Sequence, residues 1–142
     1  MNAMVKTGAE AIGNADVDWL VDTIRVALAD ASFTPTYDAK GNINNAQFFS
    51  TISASIVGTP QVLTGKTNVA GVLDADNPLF PAVTGNTVVR MWAYKWTGTA
   101  GTSQLILAYD TGQGFPVLPD GSDIEAFWDT GVLSGVAGLV QI

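Results

Sequence analysis

The sequence predicts an all-β fold, an antiparallel β-sandwich or open barrel of about seven or eight short strands with extended N- and C-terminal arms. Three observations carry that expectation. Thr87 to Asp110 holds two runs rich in β-branched and aromatic residues around the soft centre Thr97-Gly98-Thr99-Ala100-Gly101-Thr102, the pattern of an antiparallel hairpin with a medium-length loop. Turn-forming residues recur between short apolar runs along the rest of the chain. There is no internal repeat and no strand–helix alternation of the kind that builds an α/β fold.

Taken in order, residues 1–15 are mostly small or polar and are interrupted by Gly8, Gly13 and Asn14. They read as an N-terminal arm, either mobile or ordered by a partner, with a helical turn over Ala9 to Ile12 as the equal alternative. A single β domain is expected from 16 to 142, closing in a strand or arm over 131–142. In Asp16 to Asp30, Thr23, Arg25 and Ala27 alternate with Ile24, Val26 and Leu28, which predicts a strand entered from an acidic turn at Asp16 and Asp18. A helix is the competing reading, because Trp19, Ile24 and Leu28 nearly fit its spacing. Ser32 to Asn45, marked by Pro35, Gly41 and three asparagines, reads as a loop long enough to carry contacts, expected here with a neighbouring molecule.

Gln47 to Val57 suits a short helical turn followed by a strand. Gln61 to Asn68 and Val69 to Asp74 read as two short strands around a turn, and Pro81 confines Leu79 to Val83 to an edge or a strand end. Within the hairpin, Val88, Arg90, Trp92, Tyr94 and Trp96 point to one face, and Val89, Met91, Ala93 and Lys95 to the other. Neither face is polar. One is therefore expected in the core and the other against a second sheet or another chain. Pro119-Asp120-Gly121 then makes a turn, and Ser122 to Asp129 alternates again.

Composition narrows the chemistry. With no cysteine and no histidine among 142 residues, thiol catalysis, cysteine-based zinc sites and the usual general base near neutral pH are missing. Thirteen acidic against six basic residues give a net charge of -7, which repels a phosphate backbone and argues against nucleic-acid binding. MNAMVKTGAE is not followed by the apolar run of a secretory signal. Gly131 to Ile142, the longest weakly polar stretch, falls well short of the roughly 20 residues a membrane helix needs. Charged residues make up only 13%, against about 25% in ordinary soluble domains, which suggests a surface partly covered by partners, with a well-packed β protein alone as the other cause.

Candidate chemical sites are weak. Asp74, Asp76 and Asn77 offer oxygens to a hard cation, but no EF-hand loop follows and a solvated turn is the simpler reading. Asp120, Asp123, Glu125 and Asp129 include carboxylates that would line one strand face rather than flank a glycosidic bond. Gly112-Gln113-Gly114 lacks the third glycine of a phosphate loop, and Pro60 stands where the first glycine of a Walker motif ending in Gly65-Lys66-Thr67 would be needed. Catalytic, cofactor and metal residues are therefore expected to be none. Trp92, Tyr94 and Trp96 present either a stacking platform or, more simply, core and interface packing.

Several blocks resemble small virion proteins of tailed bacteriophages: Val17-Asp18-Trp19 with Asp22 to Leu28, Leu63 to Thr67, Gly71 to Asp76, Phe80 to Gly85, Tyr94-Lys95 with Thr97 to Thr99, Leu105 to Asp110, and Pro119 to Ile124 with Trp128. Trp96 stands where that pattern has an aspartate, and Ser32 to Asn45 has no counterpart in it. The resemblance implies a non-enzymatic capsid decoration or cement protein on the outer surface of the phage head. It would stabilise the shell as a homo-oligomer, a trimer being favoured, with the major capsid protein as partner and no membrane or nucleic acid involved. Partner-binding residues are expected at Trp92, Tyr94, Trp96, Tyr37, Val132 and Leu133. The alternatives are a tail, neck or fibre component, or a carbohydrate-binding module for host attachment.

Overall fold

The central hairpin lies within a five-stranded antiparallel sheet of β1 (Ala3–Met4), β2 (Ile24–Ala29), β3 (Ile56–Val62), β7 (Arg90–Lys95) and β8 (Leu105–Tyr109), strands being numbered in chain order. Their order across the sheet is β1-β8-β7-β2-β3. The computed structural model describes residues 2–110, 115–126 and 140–141. A three-stranded sheet joins β4 (Thr67–Val69), β5 (Val72–Asp74) and β10 (Val140–Gln141), and β6 (Leu79–Phe80) pairs with β9 (Ile124–Glu125). The fold is all-β, with two short helices, α1 (Lys6–Gly13) and α2 (Phe49–Ile52). Among the described residues no helix is long and apolar enough to cross a membrane.

Alternation decides what each face of the large sheet carries. Ile24, Val26 and Leu28 of β2 lie with Met91 and Ala93 of β7 and Leu107 and Tyr109 of β8 on the first face. There they pack against Trp19, Leu63, Leu73, Phe80, Val83, Val88 and Ala126, which come largely from the small sheets and their connections. Ala27, Ala29, Trp92, Tyr94, Leu105 and Ala108 form the second face. In register Trp92 sits between Ala27 and Ala108, so the largest side chain lies where both neighbouring strands offer only methyl groups. That pairing of large with small is how a close-packed layer fills without voids.

The second face is covered by this same chain. Ile43, Ala46 and Ile52 are buried against it, and Phe33 and Phe49 lie half-buried over the aromatic row. Phe49 stacks on Tyr94 with ring centroids 4.4 Å apart, and Phe33 meets Trp92 edge-on at 5.9 Å. The Ser32–Asn45 segment folds back on itself. Thr36 Oγ1 bonds Asn44, Asn45 bonds the Thr34 carbonyl, and Asp38 caps a turn closed at Gly41. Internal hydrogen bonding of this kind lets an irregular segment lie against a core without stranding its backbone groups.

The N-terminal residues follow one of the two readings. Rather than an extended arm, β1 pairs with β8, and the helical turn at Ala9–Ile12 is part of α1, which lies directly against the backbone of β8. A Cβ on Gly8 would lie 2.8 Å from the Cα of Ile106 and closer still to the Leu105 carbonyl oxygen, so glycine is needed for close approach. The exposed backbone donors at the start of this segment are taken up by tertiary partners: Val5 N–H donates to Ile106 and Lys6 N–H to Ile43. Other expectations hold with shifted boundaries. The strand within Asp16–Asp30 begins at Ile24, the helical turn precedes β3, and Pro81 follows the end of β6.

β3 and β1 are the two edges of the large sheet. On β3, the pairing to β2 skips from Leu28–Val57 to Val26–Gln61, which leaves Gly58, Thr59 and Pro60 in a bulge, with Gly58 at φ +75°.

Candidate functional site

One end of the large sheet gathers what the rest of the molecule keeps apart. β2 starts there, β3 and β7 finish there, and the 16–22 loop is tied to it. Lys95 makes an ion pair with Asp22 at 3.0 Å and donates to the Asp16 carbonyl at 2.8 Å, while Lys66 donates to the Asp22 carbonyl. Trp96 N–H donates to the Thr23 carbonyl. The buried Trp19 indole donates to the Thr67 and Asp74 carbonyls and so fastens the loop to the β4–β5 hairpin.

The loop itself is stiffened by its two aspartates. Asp18 Oδ1 accepts from the N–H groups of Leu20 and Val21, and Asp22 Oδ2 accepts from the N–H of Asp18. Burial opposes ionisation of Asp22, but the Asp18 N–H, the bond to Lys95 and the charges of Lys95 and Lys66 outweigh it and hold the carboxyl below its usual value. The Lys66 ammonium is pushed down by burial, which the charges of Asp22 and Asp18 offset in part. The result is a rigid tip carrying two apolar side chains in water: Leu20 is 54% exposed and Val21 80%.

Further apolar surface lies next to this tip. Val69, on the edge strand β4, is 69% exposed, and Leu20 and Asn68 line one open cavity of about 230 Å³ with Ile12, Val17 and Leu73. On the other face of the sheet, Val62 is 50% exposed and pairs in register with Arg25, which pairs in turn with Tyr94. The Arg25 guanidinium carbon lies 4.5 Å from the centroid of the Trp96 ring, and both residues are half-buried.

The sequence-predicted partner residues divide. Trp92 and Tyr94 are buried in the second-face core and so are not free to anchor a partner, a correction caused by the 32–55 segment lying over them. Burial raises the Tyr94 phenol, with the Arg25 charge and hydrogen bond opposing it. Trp96 alone of the row reaches the surface at the sheet end. Tyr37 is 40% exposed but stands apart, in a bridge with Ile43 on the β1 side. Val132 and Leu133 lie outside the described residues.

The aromatic row is not an open stacking platform either. Phe49 covers Tyr94, Phe33 meets Trp92, and Trp96 carries Arg25 on its ring with Phe49 edge-on at 6.4 Å. The acidic residues serve their own turns: Asp74 accepts from Ala75 N–H, Asp76 from Thr64, Asp120 from Ser122 and Asp123 from Ala82 N–H. Among the described residues no three His, Cys, Asp or Glu side chains come together as a metal site.

Sequence reasoning missed Arg25, the Leu20–Val21 tip, Val62 and Val69. The signal for the tip was present in the four-residue spacing of Asp18 and Asp22 around an apolar pair, the pattern of a side-chain-capped turn. Comparison with known proteins finds no matching family model and no matching curated protein.

Proposed function

We propose that this protein is a non-enzymatic structural protein of a tailed-phage virion, a decoration protein that docks on the outside of the capsid and stabilises the shell. The observation that carries the reading is the rigid apolar sheet end, with Leu20, Val21 and Val69 on one side and Val62 with the Arg25–Trp96 pair on the other. Burying each exposed aliphatic side chain contributes on the order of 1–2 kcal/mol, and a tip already held by Asp18 and Asp22 loses little further freedom on docking. Because that area is buried only on the assembled particle, binding stabilises the shell by mass action. The resemblance of the sequence blocks to small phage virion proteins supplies the identity of the partner, the major capsid protein, and a trimer is the favoured assembly.

A sugar-binding role is the weaker reading, since Arg25 covers the Trp96 ring that a sugar would stack on. The test is addition of purified protein to phage heads lacking it. The double variant Leu20→Asp, Val21→Asp is expected to lose at least about tenfold in occupancy while keeping its melting temperature, because both residues stand in solvent. Wild-type protein that leaves the heads bare, or a double variant that decorates them equally well, overturns the proposal.

A further inference from the structure

The six basic residues of this chain are few enough for the surroundings of each to matter. Lys95 meets Asp22, Lys66 meets the Asp22 carbonyl, and Arg90 donates to the Phe33 carbonyl at 2.7 Å with Asp30 nearby. Arg25 differs. Its Nε, like that of Arg90, is buried with no hydrogen-bond partner, and its charge faces the Trp96 ring and the Tyr94 phenol, with which it is hydrogen-bonded. Among the described residues no carboxylate forms an ion pair with it, although the chain carries thirteen acidic residues.

A guanidinium set over an indole has that face desolvated and keeps its hydrogen bonding in its own plane. Paired N–H groups in that plane suit a carboxylate, Arg25 is half-buried rather than enclosed, and the neighbouring exposed Val62 supplies an apolar wall on the same face. Arginine beside tryptophan is also the pairing in which binding energy concentrates at protein interfaces.

We infer that Arg25, set on Trp96 beside Val62, is the receptor for a single carboxylate of a partner protein, carried on an otherwise apolar segment. The inference rests on the docking reading above and names the chemistry of that docking. Charge complementarity selects the occupant. A net charge of -7 repels a polyanion such as nucleic acid, whereas one carboxylate flanked by apolar residues meets the local cation without bringing further negative charge to the acidic surface.

The experiment needs only the purified full chain, so it reads this inference without reference to phage heads. The indole N–H signal of Trp96, assigned with Trp96→Phe, is followed by NMR as the peptides acetyl-Val-Glu-Val-amide and acetyl-Val-Gln-Val-amide are titrated in low salt. The glutamate peptide is expected to give a saturable shift at least about tenfold stronger in affinity than the glutamine peptide, and added salt to weaken it. Arg25→Lys, whose spectrum reports that the fold is kept, is expected to lose most of that preference because an ammonium offers no planar fork. Equal response to both peptides, no saturable response to either, an unchanged preference in Arg25→Lys, or tighter binding of a short oligothymidylate overturns the inference. If the heads fail to bind the protein while the glutamate peptide does bind, the docking reading falls and the receptor stands.

Discussion

The two faces of the large sheet are equally dry but are closed by different means. The first is covered by strands of the smaller sheets, which bring Leu73 and Phe80. The second is covered by a segment with one short helix and little other regular structure, which brings Phe33, Ile43, Phe49 and Ile52. The contrast teaches that covering a sheet requires apolar side chains at workable intervals and backbone groups with partners, and that repeating secondary structure is only one way to supply both.

The strongest way to break the comparison is to hollow each face in turn. Trp92→Ala on the second face is expected to cost about 3–5 kcal/mol, and Leu73→Ala on the first about 2–5 kcal/mol, by urea denaturation. If Trp92→Ala cost under about 1 kcal/mol, the irregular cover would not be a true core. Gly8→Ala comes next. Helix propensity alone favours alanine by about 1 kcal/mol, but the added methyl group would meet the backbone of β8, which cannot yield as a side chain does. Overpacking is expected to win, with a net loss of about 1–2 kcal/mol and faster hydrogen exchange in β1 and β8.

Acid sharpens the comparison, because Asp30 lies where the second-face cover leaves the sheet. Its carboxyl is held below the usual value by the Asn86 side chain first, then by the Ser32 hydroxyl and N–H, against the cost of burial and with help from Arg90. A depressed folded pKa gives stability that is fully present above the unfolded value near 3.8 and is lost as pH falls through the folded one. Stability is therefore expected to drop below about pH 4, and Asp30→Asn to flatten part of that drop at the expense of stability near neutrality. A urea midpoint with the same acid dependence in both proteins would contradict this.

The smallest effect belongs to the first-face cover. The β4–β5 hairpin turns at Ala70, φ +53°, and Gly71, φ +80°, a tight turn in which both central residues need positive φ. Asparagine tolerates that conformation better than alanine, so Ala70→Asn is expected to raise stability by about 0.5 kcal/mol, read as a small rise in melting temperature.

Much of the fold was legible because it rests on alternation. The hairpin from Thr87 to Asp110 and the strand at Ile24 declare themselves through β-branched and aromatic residues at period two. Alternation divides most of the faces, but it misplaces Val88, which joins the first-face core, and Leu105 and Ile106, where the register shifts between Ala93 and Tyr94, and it does not say what lies over them. That is why Trp92 and Tyr94 read equally well as partner anchors until the 32–55 segment is seen in place. Gly8 misled for a related reason: glycine in a sequence reads as a break, whereas here it marks where helix and strand backbones touch. Of the two causes the sequence left open for the sparse charge, the one inside the molecule is visible: a sheet buried on both faces leaves little room for ions. Arg25 was invisible as a site because nothing in its neighbours along the chain announces Trp96 across the sheet.

The bulge in β3 bears on life at high density. Pro60 offers no N–H, and Gly58 turns the backbone away from the extended line, so a foreign strand laid along this border meets a gap in the donors it would need. Copies of this chain brought together at high concentration are thereby hindered from zipping edge to edge, and association is left to side chains that can choose their partner.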